Sequence, residues 1–211
     1  MINFINNQKN TFLAITAMVV GVIFIDIHGL IVKYLGGEYS TIQLALFRNT
    51  FAIIPLILLL IYNKESSDLF KNLSKKFILF CFIRGSCFLA INILYYIAIN
   101  NMEFATASTL TFSSTFFIVI LSIFFLGDKV GIYRWSAVII GFVGVVMIMR
   151  PNSSIFSYYS ILPILVAFLW AVQVIILKFI PDNFSTGKIQ FYSLFSSFLG
   201  SLIFIFFTTG H

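Results

Sequence analysis

Two ionisable residues, Asp26 and His28, lie inside a long apolar stretch near the N-terminus. An ionised carboxylate at the centre of a membrane helix costs about 2.5–3.5 kcal/mol on insertion scales, so such groups usually face a protein interior and serve function. Asp26 could pair with a basic group, bind a cationic solute or carry a proton, and the alternative is a structural contact between helices. Because residues two apart point roughly 200° away from each other on a helix, the two side chains cannot both face one cavity.

A second set of candidates forms a stripe along one helical face. Arg84, Phe88, Asn92 and Tyr95 are spaced by 4, 4 and 3 residues, which places them on one side of a helix. Arginine captures carboxylate or phosphate bidentately, and the other three groups suit a polar organic solute, so the stripe predicts a cavity lining. The alternative for Arg84 is to extend towards lipid phosphate. Arg48 lies nearer its membrane surface and is predicted to be an anchor or a loop partner.

Hydroxyl and amide side chains mark two further stretches. Ser108, Thr111 and Thr115 fall on one helical face, where small residues favour close helix packing and hydroxyls can hydrogen-bond across helices. Cavity lining is the alternative for these three. Trp170 and Gln173 are about one helical turn apart and are predicted to line a cavity or an interface.

These residues must be positioned by membrane helices. Hydrophobic residues make up 60% of the 211-residue chain and charged residues 9%, against about 25% charged in soluble domains. The apolar residues form runs long enough to cross a hydrocarbon core about 30 Å thick. Seven spans are predicted, near 12–32, 42–62, 77–99, 104–126, 132–149, 155–177 and 188–209. The fold class is therefore an all-α, polytopic membrane helical bundle, and Gly141 and Gly144 predict close packing of the fifth span.

Loop charges predict the orientation. With residues 1–11 in the cytoplasm, nine basic residues face the cytoplasm and three face outside. The nine are Lys9, Lys64, Lys71, Lys75, Lys76, Lys129, Arg134, Lys178 and Lys188; the three are Lys33, Arg48 and Arg150. This positive-inside bias predicts a multi-pass protein of the bacterial inner membrane with a cytoplasmic N-terminus.

One phrase occurs twice. KYLGGEYST at Lys33–Thr41 resembles KFIPDNFST at Lys178–Thr186, 145 positions later. Aligning the phrases places span 1 on span 6, and an offset of five spans inverts the second copy, as in many secondary transporters. A five-helix unit would then occupy 12–151, and 152–211 would begin a second, incomplete unit, so we expect a truncated chain. A second copy or a complementing fragment could supply the missing helices, and a chance match is the alternative.

The chain resembles an EamA-type domain of the drug/metabolite transporter superfamily. The matching features are Arg48, Arg84-Gly85, the small residues of Ala105–Thr115, Leu126-Gly127-Asp128, Trp135, Gly141, Gly144 and Pro151. LFRNTF and KYLG look closest to the branch that includes S-adenosylmethionine uptake transporters. The resemblance implies a ten-helix bundle of two inverted five-helix units that moves small organic solutes such as amino acids, nucleotide-linked metabolites or drugs.

The sequence therefore predicts a secondary transporter working by alternating access, with a small-molecule substrate and the lipid bilayer as partners. A non-transporting membrane scaffold or assembly subunit is the alternative. An enzyme is not expected, because no HExxH motif, nucleophile–base pair or pair of carboxylates lies within one span. No cofactor or metal is expected, and no phosphate-binding Gly-Lys-Ser/Thr loop is present. Nucleic acid is not an expected partner, because the basic residues lie mostly in loops.

Overall fold

The computed structural model describes residues 2–71, 73–128, 130–149, 158–181 and 183–209. Within these ranges, side chains are described except at 2–10, 67, 134, 148–149 and 208–209. The predicted roles of Lys9, Lys129, Arg134, Arg150 and Pro151, and the predicted start of the sixth span at 155–157, lie outside the described side chains.

All regular structure in these ranges is helical. The helices are α1 (Ile2–Leu35), α2 (Thr41–Tyr62), α3 (Lys75–Asn101), α4 (Phe104–Thr111), α5 (Ser114–Leu126), α6 (Ile132–Met149), α7 (Ile161–Phe179) and α8 (Thr186–Thr209). Short 3₁₀ turns cover Ser66–Asp68 and Tyr158–Ser160. Six stretches are long and apolar enough to cross a bilayer, with α4 and α5 counted together, while the apolar stretch of α6 is shorter, at Trp135–Met147. The predicted all-α polytopic bundle is confirmed.

Helix α3 lies at the centre of the bundle. It packs against α8, α7 and α2, and also contacts α1 and α4. Gly85 allows the approach of α8, because a Cβ atom at Gly85 would lie 2.3 Å from the carbonyl oxygen of Ser193. The close packing predicted at Gly141 and Gly144 is wrong, since a Cβ atom at either position would meet nothing within 4 Å among the described atoms.

The predicted continuous span 104–126 is interrupted between α4 and α5. Hydroxyls of this stretch donate to backbone carbonyls of the preceding turn: Thr111 to Ser108 at 2.6 Å and Ser113 to Leu110 at 2.7 Å. The backbone N–H groups of Phe112 and Ser113 bond three residues back, to Thr109 and Leu110. Hydroxyl side chains that compete for helix carbonyls bend or break helices, so the same residues that favour packing also explain the break.

The repeated phrase has the same local role in both copies. Ser40 caps α2, accepting from the backbone N–H of Gln43 at 3.3 Å. Ser185 precedes α8 and accepts from the backbone N–H of Lys188 at 3.2 Å. A serine at the N-cap stabilises a helix start by about 1 kcal/mol relative to alanine. The phrase therefore marks a helix start twice, and the inverted superposition of the two units stays a prediction.

Candidate functional site: a polar section of α3 between two apolar clusters

Two apolar clusters lie at opposite ends of α3. Phe77 and Cys81 pack with Ile189 of α8 at one end, and Tyr96 packs with Val32 of α1 at the other. Phe77 and Tyr96 are separated by about 28 Å at 1.5 Å per residue. Arg84, Asn92 and Tyr95 lie between these clusters. Together with Tyr96 they meet polar side chains of four neighbouring helices.

Arg48 of α2 meets the α3 stripe. Its Nη1 donates to Oδ1 of Asn92, and its guanidinium carbon lies 4.6 Å from the centroid of the Phe88 ring. Asn92 is buried, with 5% of its surface exposed. The prediction that Arg48 is an anchor or a loop partner is therefore wrong: the residue is half-buried, and its guanidinium contacts Asn92 and Phe88 of α3. We call Arg48, Phe88 and Asn92 the Arg48 cluster.

Helices α1 and α4 join the same end of α3 through aromatic side chains. Tyr96 Oη lies 3.4 Å from His28 Nε2, and Tyr95 Oη shares a 2.9 Å hydrogen bond with Ser108 Oγ. Gly29 permits the approach of α1, because a Cβ atom there would lie 2.7 Å from the Phe104 ring. His28, Tyr95 and Ser108 therefore come together around α3. Their role in lining a solute cavity stays a prediction.

Arg84 contacts α8 and does not share a site with the other residues of its predicted stripe. Its Nη1 donates to Oε1 of Gln190 on α8 at 3.1 Å. Phe88 and Asn92 instead contact the guanidinium of Arg48. Arg48 therefore meets α3 at Asn92. This position is eight residues after Arg84, or about 12 Å along the helix axis. The predicted stripe is divided between two sites.

Helix α8 supplies polar contacts that sequence reasoning missed. Asn49 Nδ2 donates to Ser197 Oγ at 3.0 Å, and Ser196 Oγ donates to the Phe82 carbonyl at 3.3 Å. Buried serines recur along α8 at Ser193, Ser197 and Ser201. Their four-residue spacing is the small-residue pattern of packed membrane helices, so a search for that pattern would have found them.

Several buried polar atoms have no hydrogen-bond partner among the described atoms. They are Asn49 Oδ1, Arg84 Nε, Asn92 Nδ2 and Gln173 Nε2. A buried polar atom left without a partner costs about 1–3 kcal/mol. Three of the four lie on α2 and α3, so the unmet hydrogen-bonding groups are concentrated on these two helices. Gln173, predicted to line a cavity, is buried on α7 with 6% of its surface exposed.

Other predicted site residues lie apart from this centre. Asp26 is on the exposed face of α1, and Thr115 is exposed on α5. Trp170 is 43% exposed on α7. Thr111 is half-buried, and its hydroxyl is used within its own helix. Their predicted roles in solute binding stay predictions.

The described residues contain no group of three histidine, cysteine or acidic side chains that could hold a metal ion. What the centre offers instead is hydrogen-bond donors, aromatic faces and a guanidinium. Groups of these kinds orient polar organic ligands in protein pockets.

A separate polar site joins two loops at the ends of α2 and α7. Lys188, at the start of α8, donates to the backbone carbonyls of Asp68, at 2.9 Å, and of Lys71. Ser185 Oγ donates to Glu65 Oε2 at 2.7 Å. We call Glu65, Ser185 and Lys188 the loop clasp. A cavity of about 230 Å³ lies beside it.

Membrane-length helices with a polar interior around α3 define a polytopic membrane protein. Residues 12–150 match the EamA-like transporter family, and the chain belongs to that family.

Named relatives are transporters. The chain is 40% identical over 63 residues to a riboflavin transporter of Rhizobium johnstonii, which covers 30% of this chain and 21% of the relative. It is 35% identical over 78 residues to a riboflavin transporter of Vibrio cholerae, covering 37% of this chain and 26% of the relative. It is 26% identical over 161 residues to an S-adenosylmethionine uptake transporter of Rickettsia bellii, covering 76% of this chain and 54% of the relative.

The chain therefore spans about half, or less, of the length of the curated relatives that it matches. No solved structure matches it significantly.

Proposed function

We propose that this chain carries a small organic metabolite across the bacterial inner membrane by alternating access. The observation that carries the proposal is that polar side chains from α1, α2, α4 and α8 meet α3 between Arg84 and Tyr96, in a chain of the EamA-like transporter family. Buried polar groups in membrane helices are costly and usually mark a substrate path.

The relatives suggest a substrate class. Riboflavin and S-adenosylmethionine, the solutes in their names, both join a flat heteroaromatic ring to a polar chain. The Phe88 ring, the Asn92 amide and the Arg48 guanidinium offer contacts for both parts. We therefore propose amino-acid, nucleotide-like or drug-like solutes with a ring and a polar chain.

Uptake into liposomes tests the proposal. The full 211-residue chain, reconstituted into proteoliposomes, is supplied with radiolabelled riboflavin and S-adenosylmethionine and with a panel of amino acids and nucleosides. Saturable accumulation of at least one solute, competed by its unlabelled form, is expected. Flux equal to that of protein-free liposomes for every solute would contradict transport by this chain.

Specific contacts favour a second candidate, a membrane scaffold or assembly subunit. Asn49 bonds to Ser197 and Arg84 bonds to Gln190 across helix interfaces, as structural polar contacts would. The absence of flux together with co-purification of a stable membrane partner would support this candidate.

Proton coupling through Asp26 gives a further expected outcome. Asp26 is the one acidic residue of the predicted spans, so it is the carboxylate available to bind a proton there. Substitution Asp26→Asn removes that proton site and is expected to abolish the dependence of uptake on an imposed pH gradient while solute binding is kept. Glu38→Gln, on an exposed loop residue, is the matched control. A variant at Asp26 with the full pH response would remove proton coupling from the proposal.

The proposed orientation predicts the labelling of single cysteines. In a background of Cys81→Ala and Cys87→Ala, Ser66→Cys reports the α2–α3 loop and Glu38→Cys the α1–α2 loop; both positions are exposed. A membrane-impermeant maleimide should label Glu38→Cys in intact spheroplasts and Ser66→Cys only after lysis, because the basic α2–α3 loop is retained in the cytoplasm. The reverse pattern would overturn the orientation.

A further inference from the structure

On the basis of the proposed transport function, we infer that the Arg48 cluster is an anion subsite that takes the carboxylate or phosphate group of the solute. The cluster joins a guanidinium on α2 to an amide and an aromatic ring on α3.

Arg48 has no acidic partner in the part of the chain that the structure describes. Neither α2 nor α3 contains an aspartate or glutamate. Among the described residues, the one ion pair, Lys71–Asp68, lies on the exposed loop. Asp26 is on the exposed face of α1, while α1 meets α3 through His28 and Tyr96. A charge held among membrane helices is costly unless it is paired. No counter-charge for this guanidinium lies among the described residues, and a bound anion would supply one.

Donors are available beside that charge. The bond from Arg48 to Asn92 Oδ1 uses one of the five N–H donors of the guanidinium. Nδ2 of the same amide is buried and has no partner among the described atoms. Because Oδ1 and Nδ2 belong to one amide group, this free donor lies next to the guanidinium. The guanidinium and the amide donor therefore lie side by side. An oxyanion that reaches both would accept charge-assisted hydrogen bonds, and a neutral amide or ester would not match the positive charge.

The ring of Phe88 fixes the orientation of the guanidinium. At 4.6 Å from its centroid, the cation–π contact holds the planar group against α3. A guanidinium held in this way loses less freedom when it binds an anion. Arg84 lacks this arrangement, because its described partner is the side-chain amide of Gln190.

Matched small probes test the inference in the full chain held in phosphatidylcholine nanodiscs. Benzoate and phenyl phosphate are compared with benzamide and benzyl alcohol, which share the ring but carry no charge. The anions are expected to raise the thermal unfolding midpoint in a saturable way, because a ligand that binds only the folded state stabilises it. Arg48→Gln should weaken anion binding at least tenfold, whereas Lys76→Gln, an exposed charge on α3, should leave it unchanged. Equal shifts with benzoate and benzamide would overturn the subsite.

A second variant tests the inference even if the Arg48→Gln protein does not fold. Asn92→Asp places a carboxylate against the guanidinium, so it should raise the unfolding midpoint and abolish the effect of benzoate. An Asn92→Asp protein that still responds to benzoate would contradict the inference.

Lipid phosphate is the other source of the same chemistry. If phosphatidylglycerol in the nanodisc removes the benzoate effect while phosphatidylcholine does not, the site holds a lipid headgroup and the solute assignment is wrong. Uptake of neutral and anionic solutes without preference would remove the subsite and leave transport standing. Anion binding without any uptake would support the subsite and contradict transport by this chain.

Discussion

Replacing Gly85 with alanine is expected to destabilise the protein by about 1–3 kcal/mol, the usual cost of overpacking a tight interface. The new Cβ atom would lie 2.3 Å from the carbonyl oxygen of Ser193 and 2.6 Å from Cβ of Ser196. Non-bonded heavy atoms need about 3.5 Å, and the first of these neighbours is backbone. Relief therefore requires α8 to move away from α3, which would also weaken the contact between Arg84 and Gln190.

Helix propensity alone would make a Gly→Ala substitution stabilising. A loss of stability therefore indicates that the new Cβ atom clashes with a neighbour. Alanine favours a helix over glycine by about 0.8–1.0 kcal/mol. At Gly141 on α6 a Cβ atom meets nothing within 4 Å among the described atoms, so Gly141→Ala should be neutral or slightly stabilising. At Gly200 the obstacle is a terminal carbon of Leu89, 2.8 Å away, which can rotate, so a smaller loss is expected.

Thermal unfolding of the three variants in nanodiscs measures this series, and the expected order of stability is Gly141→Ala, then Gly200→Ala, then Gly85→Ala. If the Gly85 and Gly141 variants were equally stable, the close contact of α3 with α8 would be wrong.

The positions of the helices could be predicted from the sequence because bilayer thickness and apolar runs determine them. The predicted span 132–149 coincides with α6, and 42–62 differs from α2 by one residue. The break at Phe112–Ser113 could not be predicted in this way, because it depends on whether hydroxyls bond to their own helix or to a neighbour. The amino-acid composition is the same whether the hydroxyls bond within their own helix or to a neighbouring helix, so composition cannot distinguish the two.

The contacts of the site were harder to predict than its residues. Helical spacing correctly placed Phe88 and Asn92 on one face, but it assigned them to Arg84 of the same helix. Spacing shows which side chains share a face and gives no information on which neighbouring helix meets that face. Arg48 reaches the stripe from α2, 44 positions earlier in the chain, and only the packing of α2 against α3 reveals the pairing.

Replacing Lys188 with methionine is expected to detach the α2–α3 loop and to destabilise the protein by about 2 kcal/mol. Lys188 is 6% exposed, and its ammonium group donates to the carbonyls of Asp68 and Lys71. It also lies 5.3 Å from the centroid of the Phe184 ring. Each hydrogen bond from a charged group contributes about 1.5–3 kcal/mol. Methionine keeps the apolar stem and avoids burial of the charge, so part of this loss is offset.

Amide hydrogen exchange separates a local effect of Lys188→Met from a global one. Residues 66–71 should exchange faster in the variant, because the loop would open without unfolding of the bundle, while exchange in α3 stays slow. Lys76→Met removes an exposed charge at the start of α3 and should change neither the unfolding midpoint nor loop exchange. If Lys188→Met behaved like Lys76→Met, the loop clasp would contribute nothing to holding these loops together. A loss of protection throughout α3 and α8 would instead show that Lys188 supports the whole bundle.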